Sequence, residues 1–233
     1  MIAMNQFWKE FPLKYGCLTT VKIIVGQEPY KQALAGINFS VECKKSKVPL
    51  YQDIGNIAFL VNEWIKVQDS LEMIFNLLFG RENSLKALSY LRMHAIPANV
   101  FAEQLWSKAK VLLVNRFVGG VDQKSNIEEF IKSNESARIH VLFVGKKAYE
   151  KHNIEGNYQY ALALHPSGNN LRLSEKYADN WYYCKGEQLK PKSANFCYEI
   201  FRVSSHITKH LRVIPNAWNS QFKVGFRVYG VMV

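Results

Sequence analysis

The chain has 233 residues and 48% hydrophobic content, enough for a full core in one domain, which excludes a disordered protein. Its 30 basic residues outnumber 19 acidic ones for a net charge of +11, so the favoured partners are polyanions, nucleic acid first and anionic membrane second. No apolar run approaches the roughly 18 residues of a membrane span.

Met1 to Tyr15 mixes Asn5, Lys9, Glu10 and Lys14 among apolar residues and has no signal-peptide core, so secretion is not expected. The expected location is cytoplasmic, or nuclear or virus-associated outside bacteria. The first strand candidate is Val21–Val25, a β-branched apolar run. It leads into Gly26-Gln27-Glu28-Pro29-Tyr30. A strand ending in Gly, an amide and a carboxylate presents a charged oxygen at the carboxyl edge of a sheet, where open α/β sheets keep ligand crevices.

Tyr51 to Val67 reads as a helix, with Ile54, Ile57, Ala58, Val61, Trp64 and Ile65 close to a 3.6-residue period. Ser84–Met93 and Asn99–Ala109 read as two more, with Pro97 near the start of the second. Val111–Asn115 is a second strand. Ser125 opens a further helix, with Glu128 completing a capping box. Ile139–Val144 and Tyr158–Leu164 complete the strand candidates. This alternation predicts an α/β fold, a three-layer sandwich with a central, mostly parallel sheet flanked by helices.

A boundary is expected near Lys185-Gly186, dividing residues 1–184 from a basic extension, or added elements of the same domain, at 185–233. From Lys185 onward eight bases face only Glu187 and Glu199. This tail is either a solvated basic surface or a phosphate-contacting face. Phe222, Val224, Phe226 and Val228, interleaved with Lys223 and Arg227, suggest a late amphipathic strand. Cys17, Cys43, Cys184 and Cys197 lack metal-ligand spacing and read as structural or incidental thiols of a reducing compartment.

Four segments in order carry a resemblance: Val25-Gly26-Gln27-Glu28-Pro29-Tyr30, Gly36-Ile37-Asn38-Phe39-Ser40-Val41, the strand Val111–Val114 ending in Asn115, and His165-Pro166-Ser167 after a second apolar run. Together they resemble the uracil-DNA glycosylase superfamily, and the first two resemble family 1, the classical uracil-DNA glycosylases. The matching segments span about two-thirds of the chain.

The resemblance implies hydrolysis of an N-glycosidic bond. That reaction builds positive charge on the sugar and negative charge on the departing base, and carboxylates serve such a transition state by stabilising the cation and positioning water. By resemblance Glu28 holds the attacking water. His165 hydrogen-bonds the anion forming on the base, a contribution on the order of a few kcal/mol. Phe39 stacks on the flipped base and Asn115 reads its edge. Backbone amides around Gln27 add pyrimidine contacts, and Tyr30 walls off the C5 side of the ring. On the residues alone, Phe39 could equally be a core aromatic and Asn115 could cap the turn after its strand. Ser40 and Ser167 are candidates for DNA phosphate contacts.

The chain departs from the family 1 pattern in several places. Glu28 stands where that family has Asp, a change of about 1.5 Å in carboxylate position, and misplacement of about that size can cost on the order of 10²-fold in rate. Lys31 replaces a His, the link from Tyr30 to Gly36 is shortened, and the Pro-Ser-rich segment is reduced to Lys47-Val48-Pro49-Leu50. After Ser167 the chain reads Gly168-Asn169-Asn170-Leu171-Arg172 in place of Pro-Leu. Either Leu171 is the wedge into the DNA stack, on a longer loop, or Asn169 and Asn170 fill the vacated space by hydrogen bonding, and Arg172 is a candidate phosphate grip; a plain turn is the competing reading of Gly-Asn-Asn.

The expected activity is that of a monofunctional DNA glycosylase acting on uracil or a modified pyrimidine and leaving an abasic site. Removal of hypermodified bases from phage DNA as a defence is one alternative. A catalytically weak DNA-binding accessory protein on a glycosylase fold is another. The expected partner is double- or single-stranded DNA, with no membrane, no cofactor and no metal, and the chain is expected to be a monomer.

Overall fold

The computed structural model of the protein describes residues 1–29, 57–60, 69–149, 154–163, 165 and 200–205. The expected boundary near Lys185, the late strand at 222–229 and the cysteines other than Cys17 lie outside the described residues.

Four parallel strands form the sheet: β1 (Thr20–Gly26), β2 (Val111–Asn115), β5 (Arg138–Val144) and β6 (Gln159–Ala163), in the spatial order β2-β1-β5-β6. Around it run α1 (Ile2–Glu10), α2 (Asp69–Phe79), α3 (Arg81–Met93), α4 (Ala98–Ala109), α5 (Lys124–Ser133) and the short α6 (Lys146–Tyr149). A small hairpin, β3 (Phe117–Val118) with β4 (Val121–Asp122), follows β2. The fold is an α/β three-layer sandwich.

Strand periodicity assigns each side chain to one of two cores. Ile24, Leu113, Leu142, Ala161 and Ala163 face the larger core, which also holds Met4, Phe7 and the apolar faces of α2, α3 and α4. Val21, Ile23, Val25, Leu112, Val114, Val141 and Phe143 face the smaller core, closed by Ile127 and Ile131 of α5 and Ala148 of α6. Both faces are covered, so the strands read as continuous apolar runs.

The larger core is organised around Phe7. Its ring lies 4.8 to 5.9 Å from those of Trp8, Phe11, Phe79, Tyr90 and Phe101, mostly edge to face, as ring quadrupoles prefer. The Tyr90 hydroxyl donates to the Ala3 carbonyl at 3.0 Å and fixes α1 against α3. Residues from the far end of the sequence join this core. Phe201 and Val203 are fully buried in it. Val203 N–H donates to Leu78 O at 2.8 Å and Ser204 Oγ to Phe79 O at 2.8 Å, so this segment satisfies carbonyls at the end of α2 that a helix leaves without partners. Lys14 N–H in turn donates to Val203 O.

The four predicted strands are present within a residue or two, as is the helix at Asn99–Ala109, and the helix expected at Ser84–Met93 begins three residues earlier, at Arg81. Two expectations are corrected. Of the helix expected over Tyr51–Val67, the described residues 57–60 are not helical. Phe59 adopts φ 66, outside the right-handed helical region, and Ala58 N–H donates to Leu113 O in the middle of β2. All four are buried, so their apolar character reflects enclosure on every side, not a helical stripe. The expected capping box is absent too. The helix begins at Lys124, whose N–H donates to Asp122 Oδ1 at 2.9 Å, and Glu128 accepts instead from Glu155 N–H at 2.7 Å. A carboxylate already placed by the hairpin supplies the cap that Ser125 was expected to provide.

Replacing Phe7 by Ala should destabilise the protein by about 3–5 kcal/mol, since the ring is enclosed by other rings that cannot all collapse into the gap. Denaturant titration of Phe7→Ala against the parent measures it.

Candidate active site at the carboxyl edge of the sheet

The chain leaves β1 in one direction to form β2 and later passes over to the other side of β1 to form β5. The direction of winding therefore reverses between β1 and β5. Side chains and loops diverge there at the carboxyl ends of the strands, which opens a crevice. Val25 pairs with Phe143 at the end of the β1–β5 register, and Gln27 and Gly145 each follow that pair by two residues, so both lie at the carboxyl edge beside the reversal. Gln27 is half-buried and Glu28 exposed. Glu28 thus sits at the reversal with its carboxylate open to solvent.

The backbone holds this loop from the β2 side. Gly26 and Asn115 are register partners. Arg116 N–H donates to Gly26 O at 2.9 Å and Phe117 N–H to Gln27 O at 3.0 Å, so parallel pairing runs past the strand ends. Asn115 is 1% exposed and its Nδ2 donates to Ile57 O at 3.2 Å. A Cβ on Gly26 would lie 3.0 Å from Asn115 Oδ1, 3.0 Å from Ala58 Cβ and 3.1 Å from Phe59 Cζ. The absence of a side chain at Gly26 lets the Ile57–Phe59 segment and the Asn115 amide close over the end of β1. Asn115 therefore ties together three chain segments, the ends of β1 and β2 and the crossing residues 57–60.

His165 comes to the same edge from the other side of the reversal. It follows β6 by two residues and is half-buried. Its Cβ and Cδ2 would lie 3.1 and 3.3 Å from a Cβ on Gly145, which adopts φ 92 and donates its N–H to Ala163 O at 2.8 Å. Burial holds the His165 pKa below its ordinary value. The imidazole is consequently neutral at pH 7 and has one N–H to donate.

The structure brings Gln27, Glu28, Asn115 and His165 to one edge of the sheet. Tyr30, Phe39, Ser40, Ser167, Asn169, Asn170, Leu171 and Arg172 lie outside the described residues. Sequence reasoning missed Arg116. Its buried guanidinium pairs with Asp122, Nε 2.8 Å from Oδ1 and Nη2 donating to Oδ2 at 2.9 Å. This two-point contact fixes the hairpin beside the Gln27 backbone. A basic residue directly after a buried strand, with Asp six positions on, was the available signal. Among the described residues no cluster of His, Cys, Asp and Glu could hold a metal ion. No helix among them is long and apolar enough to cross a membrane.

Two predictions arise from this geometry. Gly145→Ala should cost about 1–3 kcal/mol, because a side chain at positive φ is strained and the added Cβ presses on His165; thermal melts measure it. The second concerns acid. The pKa of His165 is lowered by burial, and that of His140 by burial and then by the nearby charges of Arg138 and Lys22. The unfolded chain therefore takes up protons first as pH falls, so stability is full at neutral pH and drops below about pH 6.5. Melting temperatures of the parent and of His140→Gln, followed through that range, should show a shallower acid loss in the variant.

Comparison with protein-family models and with curated proteins finds no match to this chain.

Proposed function

We propose that the protein is a DNA N-glycosylase that hydrolyses the bond between deoxyribose and a flipped uracil or modified pyrimidine. The observation that carries this reading is the pairing of an exposed carboxylate, Glu28, with a neutral imidazole, His165, on opposite sides of the winding reversal. The ordered resemblance of four segments to the uracil-DNA glycosylase superfamily and the net charge of +11 support it.

The chemistry divides between those two groups. As the glycosidic bond lengthens, electrons move onto the pyrimidine and the sugar becomes an oxocarbenium-like cation. The Glu28 carboxylate stabilises that cation and orients a water for attack on the anomeric carbon, taking a proton as the new C–O bond forms. The neutral His165 donates its N–H to the oxygen on which negative charge gathers, and because it begins uncharged it needs no prior proton loss. The contacts of Asn115 are structural: one N–H of its amide holds Ile57, and its carbonyl lies over the end of β1, so the part of reading the base edge rests on the resemblance alone. DNA would be attracted by the basic surface, in a salt-dependent manner.

The test uses DNA containing uracil beside hydroxymethylated and glucosylated phage DNA, with release of free base followed by mass spectrometry. The wild type should release base from at least one of them. Glu28→Gln should slow release by roughly 10²–10⁴-fold and His165→Ala by roughly 10²–10³-fold, and both should fold, because neither side chain belongs to a core. Tight DNA binding with no base release from any substrate would replace this reading with that of a DNA-binding accessory protein.

A further inference from the structure

Where the Glu28 carboxylate stands is decided one peptide before it. The Gln27 carbonyl oxygen belongs to the same planar unit as the Glu28 nitrogen and Cα, so whatever holds that oxygen also orients the Glu28 Cα. Pro29 follows and biases Glu28 toward extended backbone, which leaves the residue little freedom of its own. Phe117 N–H donates to Gln27 O at 3.0 Å and Arg116 N–H to Gly26 O at 2.9 Å. Both donors stand at the foot of the β3–β4 hairpin.

That hairpin has two residue pairs, Phe117 with Asp122 and Val118 with Val121, too few to be rigid unaided. A side-chain contact closes its open end. Arg116 is fully buried, and its guanidinium takes Asp122 at two points, Nε 2.8 Å from Oδ1 and Nη2 donating to Oδ2 at 2.9 Å. Two parallel contacts fix angle as well as distance. Asp122 Oδ1 also accepts from Lys124 N–H at 2.9 Å, and Gln123 N–H donates to Arg116 O at 2.8 Å, so the second strand of the hairpin is pinned to the first turn of α5. A continuous path of hydrogen bonds runs from α5 through Asp122 and Arg116 to the peptide plane that carries Glu28.

We propose that Arg116 and Asp122 are positioning residues for the Glu28 carboxylate, acting through the Gln27 peptide. The device needs Arg and not Lys, because an ammonium carries the same charge but lacks the planar fork that sets the angle of the hairpin. The pair bears on catalysis only through the role proposed above for Glu28, whereas its hold on the loop is measurable without activity.

Two measurements on the full chain test it. In Asp122→Asn one carboxylate oxygen becomes an amide NH2 that meets the guanidinium donor to donor, and because the Asp122 side chain is 38% exposed the variant should fold. Hydrogen exchange should show the Phe117 amide losing protection by about tenfold or more, as the loss of a hydrogen bond between charged groups implies. The Gly145 amide, on the His165 side of the reversal, should exchange as in the parent. Base release should fall by about 10–10²-fold in kcat with KM nearly unchanged, since misplacement of a reacting group by about 1 Å costs that much. Placed in Glu28→Gln, the same substitution should cost less than about threefold more, because the group it positions is already gone. Arg116→Lys should repeat this pattern, and Asp122→Asn decides the matter should Arg116→Lys fail to fold. Unchanged protection at Phe117, equal loosening at Gly145, or an equal kcat loss in the parent and Glu28→Gln backgrounds would overturn the proposal. If the parent releases no base, the glycosylase reading falls, and the exchange result alone decides whether the pair holds the loop.

Discussion

β1 is paired in parallel on both sides and covered on both faces, and that constraint shapes the rest of the molecule. Val21, Ile23 and Val25 meet one core and Ile24 meets the other, while β2 and β5 take up the hydrogen bonds along both edges. Nothing in the middle of such a strand can reach solvent or a ligand. Polar chemistry is forced to its ends: Lys22 near the start, where chain from both termini meets, and Gly26 to Glu28 at the finish. The reversal of winding beside β1 then makes the finishing end the open one, since the connections leave it to opposite sides.

Two glycines turn that open end into a site. At both Gly26 and Gly145 the space a side chain would fill is occupied by a residue from elsewhere in the sequence. Asn115 and the Ile57–Phe59 segment close over Gly26, and His165 rests on Gly145. The glycines therefore act as sockets at two strand ends on either side of the reversal. Asn115 and His165 are held by packing, whereas Glu28 projects from a loop whose backbone is tied to β2 through Arg116 and Phe117. A rigid amide and imidazole with a carboxylate on a braced but exposed loop is the distribution of stiffness that the proposed base excision would call for.

Much of this was legible in the sequence where a single local signal sufficed. The strands are short β-branched runs bounded by breakers, and a strand buried on both faces leaves that pattern whatever its neighbours are. Gly26-Gln27-Glu28 at a strand end pointed to the carboxyl edge for the same reason. Other elements were less plain. In α2, Leu71, Ile74, Phe75 and Leu78 recur at helical spacing and are buried, a signal present in the sequence but not taken up, beside Leu77 and Phe79, which extend the apolar face. Residues 57–60 gave the opposite error, where enclosure imitated helical spacing. The contact of Asn115 with Ile57 spans 58 residues and that of Cys17 with Val203 spans 186. No periodicity encodes such pairings. The positive charge was countable from composition, but the burial of Lys22 within a strand became visible only once both neighbours of β1 were known.

If Glu28 acts as proposed, its exposure bears on how the longer acid is accommodated at this position. In a closed pocket an added methylene would displace the carboxylate from the water it is proposed to hold and carry the full penalty of misplacement. On a loop that is open above and fixed below by hydrogen bonds to the Gly26 and Gln27 carbonyls, the backbone is the invariant part and the side chain has room to take a different rotamer. On the proposed reading, the Glu28 carboxylate takes its position relative to the imidazole by choice of rotamer, whereas His165 is set by its contact with Gly145. The adaptable member of the proposed catalytic pair is therefore the acid, and the fixed reference is the imidazole.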